Sequence, residues 1–98
     1  MNGSKLNLGI FGGSFNPIHY GHLILAEFAR VEYCLSKVIF IPTGDLGYGK
    51  EILPISGEHR FNMVSLATSS NPFFSVSRIE LERKEPTYTV DTLKKLIN

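Results

Sequence analysis

One glycine-rich stretch, residues 9–22 (GIFGGSFNPIHYGH), places the strongest limit on how this chain folds. It follows a short apolar run and leads into an apolar, helix-like segment at 23–31. A strand, a glycine-rich turn and a helix start in this order point backbone N–H groups and the positive end of a helix dipole at one spot. The stretch therefore predicts an anion site at the turn, and phosphate is the anion that suits it.

Five glycine and histidine positions of this stretch are expected to build that site. Gly12 and Gly13 are predicted to let the backbone leave the strand in conformations closed to other residues and to approach a ligand closely. Gly21 is predicted to let the chain pass close to a neighbour as it enters the helix. His19 and His22 then fall on the loop and in the first helical turn, where both imidazoles can face one anion. The alternative is an ordinary turn with two surface histidines.

Length and composition limit the class of protein. The 98 residues predict one domain with one core, and 43% apolar residues, 19% charged residues and a net charge of +1 are ordinary for a soluble globular protein. No basic excess suggests a nucleic-acid surface, and no apolar run approaches the ~18 residues of a membrane span. The first residues lack the apolar segment that a signal peptide requires, and the single cysteine, Cys34, cannot form an intrachain disulfide. We expect a cytoplasmic protein, with Cys34 buried late in the first helix.

The apolar pattern alternates between strands and helices along the chain. Strands are predicted at 6–11, 38–41 and 73–79, and helices at about 22–33, 57–69 and 90–97. The first helix is apolar over most of its surface and is predicted to be well buried, with Glu27 and Arg30 facing out. The second is predicted to be capped by Ser56 and to bury Phe61, Val64, Leu66 and Ala67. These units predict an α/β fold, namely half of a doubly wound, three-layer Rossmann-like domain with parallel strands in the order 3-2-1.

Two further segments are candidate sites. Residues 44–51 (GDLGYGKE) approach the P-loop pattern, but Glu51 replaces the magnesium-binding hydroxyl and Pro54 prevents the helix, so a Walker motif is rejected. Lys50 remains a candidate phosphate contact, with a solvated loop lysine as the alternative. The charged helix start at 58–60 is interpreted as solvated surface. Because His59 has no second histidine four residues on, no protein-bound metal is predicted.

A second helix start stands near the end of the chain, in residues 86–93 (PTYTVDTL). It reads as a capped amphipathic helix, and its free N–H groups at Thr89 and Val90 also predict an anion site. By strand order this site should lie on the same rim of the sheet as the first.

The stretch GGSFNPIHYGH resembles the signature G-x-F-x-P-x-H-x-G-H of the HxGH nucleotidyltransferases. Residues 86–93 are similar to the PSYT-x-DTL motif of one branch, the nicotinate mononucleotide adenylyltransferases, and residues 55–60 and 71–83 also resemble that branch. Ser14 and Asn16 stand where the commoner form of the signature has threonine and aspartate. The resemblance covers about residues 6–96, and the signature positions here are Gly13, Phe15, Pro17, His19, Gly21 and His22.

The resemblance implies transfer of AMP from ATP to nicotinate mononucleotide, with Mg²⁺ arriving with ATP and not on protein ligands. It implies that His19 and His22 are the catalytic residues at the phosphates and that Thr89 holds the nicotinate carboxylate. The nucleotide is assigned to His19, His22 and the backbone of four residues, Gly12, Gly13, Ser14 and Phe15.

Two departures from the family pattern shape the hypothesis. Residues 46–50 (LGYGK) stand where members carry a PPHK-like stretch, and members are about twice as long. Residues 1–98 are therefore expected to be a single N-terminal domain that holds about half of the site and is inactive alone. Strand one would be an open edge, able to pair with another copy of the chain. A non-catalytic nucleotide-binding module, and another HxGH transferase such as pantetheine-phosphate adenylyltransferase, remain the alternatives.

Overall fold

The computed structural model describes residues 7–44 and 55–81. In chain order these contain β1 (Leu8–Gly13), α1 (Tyr20–Glu32), β2 (Lys37–Pro42), α2 (Gly57–Thr68) and β3 (Phe74–Val76). The three strands are parallel, with β2 between β1 and β3. The predicted parallel α/β sheet and its strand order are thus confirmed. The predicted helix at 90–97 and residues 45–54, the middle of a predicted loop at 43–56, lie outside the described residues.

The strand register brings the ends of β1 and β2 to one rim of the sheet. Phe11 pairs with Phe40, which pairs with Val76 on its other side. The ladder continues beyond the strands, where the Thr43 N–H donates to the Gly13 carbonyl at 2.9 Å. Because parallel strands all end at the same rim, the segments that follow β1 and β2 meet there, as ligand-binding loops do in open α/β sheets.

The core lies between the sheet and the two helices. α1 and α2 border one groove together with Phe74, so both helices lie on the same side of the sheet. On the opposite side, Leu8 and Ile10 are 52% and 41% exposed. Ile41, on the same side as Ile10, is only 2% exposed. The face that the sequence predicts to be covered is therefore open along β1 and buried at the end of β2. The buried residues of the apolar core are Phe15, Ala26, Val38, Phe40 and Val64.

α1 is much less buried than its composition predicts. Ala26 is its buried residue, whereas Ile24, Leu25, Phe28 and Val31 are each more than half exposed. The prediction of a well-buried helix is therefore wrong for the described chain. A helix that is apolar over most of its surface favours burial, but the described elements supply a partner for one side alone.

The charged residues of α1 hold the helix to the turn before β3. Glu27 accepts two hydrogen bonds from Arg30, at 2.9 and 2.6 Å, and one at 3.4 Å from the Asn71 side chain. The Arg30 guanidinium lies 4.0 Å from the centre of the Phe73 ring. The hydrogen bonds from Arg30 lower the pKa of Glu27. These residues were expected to face out into solvent, and they instead join two parts of the fold.

The end of α1 explains where Cys34 lies. The Leu35 N–H donates to the Arg30 carbonyl at 2.9 Å and the Cys34 N–H to the Val31 carbonyl at 3.3 Å, which is the Schellman pattern of helix ends. Cys34 occupies the left-handed position that glycine usually takes there, with φ of 54°. Its thiol is free and exposed. The prediction that Cys34 is buried within the helix is wrong, because the residue turns the chain out of α1 towards β2.

α2 begins as predicted but buries a different face. The His59 N–H donates to the Ser56 side chain at 3.3 Å, so Ser56 is the N-cap. Leu66, expected in the buried face, is exposed, and Phe61 and Ala67 are half-buried. The buried stripe recurs about every four residues, which leaves Leu66 on another side of the helix. That stripe comprises Gly57, Arg60, Val64 and Thr68. Neither helix in the described ranges has the length and apolar character that a membrane crossing requires.

Candidate functional site

The loop from β1 to α1 places two histidines at the strand rim, where they start the helix together. His19 is the N-cap of α1, with extended backbone angles of φ −147° and ψ 177°. The Gly21 N–H donates to His19 Nδ1 at 3.1 Å, and the His19 N–H donates to His22 Nδ1 at 3.0 Å. This is a capping box in which imidazoles replace the usual hydroxyl and carboxylate. The histidines therefore satisfy N–H groups that a helix start leaves without partners.

The two imidazoles stack on each other. Their ring centres are 3.9 Å apart and their planes differ by 30°. The His22 ring also meets the rings of Phe11 and Phe15 edge to face, at 5.9 and 5.1 Å. His22 is half-buried and His19 is exposed. The structure thus brings together the two residues that the sequence selects and fixes the inner ring against the core.

The hydrogen bonds also assign the protons of the pair. Each Nδ1 accepts a backbone N–H, so in each neutral ring the proton is on Nε2, which becomes the remaining donor. Burial lowers the pKa of His22, and the neighbouring His19 lowers that pKa further. At neutral pH the geometry and the lowered pKa therefore favour an uncharged His22 ring that offers an Nε2–H donor, and the Nε2 side of the His19 ring is its remaining donor position. Such donors suit phosphate oxygens without requiring an imidazolium.

Gly21 has a specific steric reason to be glycine. A Cβ built on Gly21 would lie 2.9 Å from His19 Cε1 and 3.0 Å from His19 Nδ1. A methyl group there would push the His19 ring off its N–H partner. The sequence predicted that the chain passes close to a neighbour at Gly21, and that neighbour is the His19 imidazole.

In the turn after β1, the residue with the unusual backbone conformation is not one of the glycines that the sequence indicates. Gly12 and Gly13 are still within β1, paired with Ile41 and Pro42, and Gly13 is not left-handed. The expectation that these glycines leave the strand in special conformations is therefore wrong. Phe15 has the left-handed backbone, with φ of 47°, and burial of its ring in the core offsets that unfavourable conformation. Whether residues 12–15 bind a nucleotide stays a prediction.

Arg60 is the residue of this region that sequence reasoning missed. The charged helix start was expected to be solvated, which holds for Glu58 and His59, but Arg60 is 0% exposed. Its guanidinium donates to the carbonyls of Ser14 at 2.8 Å, Thr43 at 2.7 Å, Gly44 at 2.9 Å and Ile55 at 2.8 Å. The available signal was its position four residues before Val64, on the buried stripe of α2.

Other predicted site residues fall outside the described chain. Lys50 and Thr89 belong to the ranges 45–54 and 82–98, so their candidate roles stay predictions. Among residues 7–44 and 55–81, no group of three His, Cys, Asp or Glu side chains could hold a metal ion. The absence of a protein-bound metal also stays a prediction.

Comparison with known proteins gives one family. The family model described as "Cytidylyltransferase-like" matches residues 10–97. A "Probable nicotinate-nucleotide adenylyltransferase" of Thermoanaerobacter sp. (strain X514) is 51% identical over 90 residues, which are 92% of this chain and 43% of that protein. Proteins of the same name from Moorella thermoacetica and Desulfitobacterium hafniense (strain Y51) are 52% and 49% identical, over 88% and 98% of this chain and 40% and 46% of their own lengths.

The chain thus spans less than half the length of the curated relatives that it matches. The family match nevertheless includes the histidine capping box, the turn before it, β1 from Ile10 onward and the whole of β2 and β3. On this agreement, the chain belongs to the cytidylyltransferase-like family.

Proposed function

We propose that this chain carries about half of the active site of a nicotinate-nucleotide adenylyltransferase. In the proposed reaction the phosphate of nicotinate mononucleotide attacks the α-phosphorus of ATP and pyrophosphate leaves. The product is nicotinate adenine dinucleotide, a precursor of NAD. The observation that carries the proposal is the stacked pair His19 and His22, held with both Nε2–H donors available at the strand rim. The names of the relatives supply the substrate class.

Such a transfer requires no protein nucleophile. The protein supplies positioning and stabilisation of the charge that develops on the phosphates. In the proposal, the backbone of residues 12–15 binds the nucleotide, and the two histidines donate hydrogen bonds to its phosphates. Mg²⁺ would arrive on the phosphate oxygens of ATP, where it neutralises charge. Thr89 for the nicotinate and Lys50 as a phosphate contact complete the proposal from sequence, and the cytoplasm remains the proposed compartment.

Substitutions at His22 test the role of its two nitrogens separately. His22→Asn keeps an acceptor near the Nδ1 position and removes the Nε2–H donor, so we expect a folded chain that binds ATP about tenfold more weakly. His22→Gln keeps a donor near Nε2 and removes the Nδ1 acceptor, so we expect lower stability and better ATP binding than in His22→Asn. Titration calorimetry with ATP and thermal unfolding measure the two effects.

His59→Asn is the matched control, because His59 is an exposed histidine in the first turn of the other helix. It should leave the affinity for ATP unchanged. Equal ATP affinity in the wild type and in His22→Asn would contradict the proposed contact.

Substrate titrations separate the proposed function from its alternatives. The proposal expects the chain to bind both ATP and nicotinate mononucleotide and to release little pyrophosphate on its own. Binding of ATP alone favours a non-catalytic nucleotide module, and binding of phosphopantetheine in place of nicotinate mononucleotide favours another transferase of the family. Rapid pyrophosphate release by the 98-residue chain as a stable monomer would contradict the half-site. A parallel titration with nicotinamide mononucleotide measures how strongly the chain prefers the nicotinate form of the substrate.

We further propose that the outer edge of β1 pairs with a second copy of the chain. Within the described residues β1 is an outer strand of the sheet, and its face away from the helices exposes Leu8 and Ile10. An open strand edge of this kind presents unpaired backbone groups that favour association.

A further inference from the structure

Arg60 is a buried charged side chain that the proposed chemistry does not use. Arginine is among the residues least often fully buried, yet Arg60 is 0% exposed. It belongs to the first turn of α2, whereas the residues it contacts belong to other segments of the rim. The reason for a buried positive charge in this position therefore lies in the groups to which Arg60 donates hydrogen bonds.

The guanidinium joins three separate pieces of backbone. Its Nη1 donates to the Ser14 carbonyl, just after β1, and to the Thr43 carbonyl, just after β2. Its Nη2 donates to the Gly44 carbonyl and its Nε to the Ile55 carbonyl, just before α2. Because the guanidinium is a rigid planar fork, these bonds fix the relative positions of the three segments and not only their proximity. Lysine, with one nitrogen on a flexible chain, cannot reproduce the arrangement.

The bond to Ser14 has a consequence for the candidate nucleotide site. In a trans peptide unit the carbonyl and the following N–H point in opposite directions. A Ser14 carbonyl directed at Arg60 therefore turns the Phe15 N–H away from Arg60. Phe15 has the left-handed backbone of this turn, so the direction of its N–H depends on a conformation that other contacts must maintain. Burial of the Phe15 ring holds one side of that residue, and Arg60 holds the peptide before it.

We propose that Arg60 is a positioning residue of the nucleotide site, which sets the direction of the Phe15 N–H by tying the turn after β1 to the segment after β2. The inference rests on the proposed function for its ligand, and on the four hydrogen bonds for its mechanism. It adds to the site a residue that lies on a different helix from the two histidines.

Arg60→Lys tests the proposal with the charge retained. Hydrogen exchange measured without nucleotide should accelerate at residues 13–15 and 43–44 and stay unchanged at the central strand β2, for example at Val38 and Phe40. ATP binding by the same variant should weaken about tenfold. Arg78→Lys is the matched control, because Arg78 is an exposed arginine that pairs with Glu58 of the same helix start. It should change neither the exchange at residues 13–15 nor the affinity for ATP.

Each other result has a definite meaning. Uniform acceleration of exchange, β2 included, would show a general loss of stability and overturn the positioning role. Unchanged exchange at residues 13–15 would overturn it as well, and so would unchanged ATP affinity in a variant whose turn is loosened. A wild-type chain that bound no ATP would contradict the proposed function, and the nucleotide-free exchange pattern would still decide whether Arg60 holds the two segments together.

Discussion

At the scale of single residues, the chemistry of the candidate site depends on where two imidazoles place their protons. The sequence predicted that His19 and His22 lie on the loop and in the first helical turn, because the spacing and the glycine between them are visible in the chain. It could not predict that the rings cap the helix through Nδ1, because this depends on side-chain rotation. Arg60 was missed for a related reason, since a charged residue at a helix start is usually exposed and its carbonyl partners come from distant segments.

The lowered pKa of His22 predicts a pH dependence of stability. Burial, and then His19, keep the folded-state pKa below the ordinary value of 6.5. The contribution of His22 to stability is therefore fully present above the unfolded pKa and is lost as the pH falls through the folded pKa. We expect the free energy of unfolding to decrease from about pH 7.5 to about pH 5, and to decrease less in His22→Asn. Urea unfolding of both proteins at several pH values measures the difference, and parallel curves for the two would contradict the assignment.

At the scale of elements, the apolar periodicity predicted the position of every described helix and strand. It did not predict correctly which face of each helix is buried. The start of α2 at Ser56 followed from cap chemistry and is confirmed. Its buried face was harder, because an arginine and a threonine stand in the apolar stripe. β3 is shorter than predicted, at Phe74–Val76. For α1, the apolar pattern predicted the helix itself. Its burial depends on which other elements pack against it, and the sequence of one segment does not contain that information.

The Schellman end of α1 makes a prediction about stability. Cys34→Gly should stabilise the protein by about 0.5–1 kcal/mol, because glycine adopts a positive φ without the penalty of a side chain, and its larger entropy in the unfolded chain offsets part of the gain. For a domain of this size the melting temperature should rise by about 4 °C. Cys34→Ala removes the thiol and keeps the steric penalty, so it should show no such rise. Equal melting temperatures for the glycine and alanine variants would contradict the interpretation.

At the scale of the whole molecule, the parallel sheet and its order were predictable because short connections and right-handed crossovers leave few arrangements of alternating strands and helices. The sequence also predicted three layers and a third helix at 90–97, and that helix lies outside the described residues. In the described chain the β1 part of the outer sheet face (Leu8 and Ile10) and much of α1 are exposed, so this part of the molecule presents an unusual amount of apolar surface.

That surface leads to a prediction about association. If β1 edges pair, Leu8→Lys should weaken self-association by about tenfold or more, because a lysine on an outer strand opposes edge pairing. Leu66→Lys is the matched control, since Leu66 is exposed on α2, away from that edge. Light scattering coupled to size exclusion, over a range of concentrations, measures the mass. A wild-type chain that stays monomeric up to about 1 mM would contradict the pairing.

The parallel pairing of β1 with β2 also affects the order in which the chain acquires structure. Parallel neighbours cannot close through a tight hairpin and require a crossover, which here is α1. The chain must therefore close a long loop before the first ladder forms, and an early helix shortens that search. His19 and His22 begin this helix. The residues proposed to grip a phosphate in the finished protein are thus expected to take part in the nucleation of its first β-α-β unit.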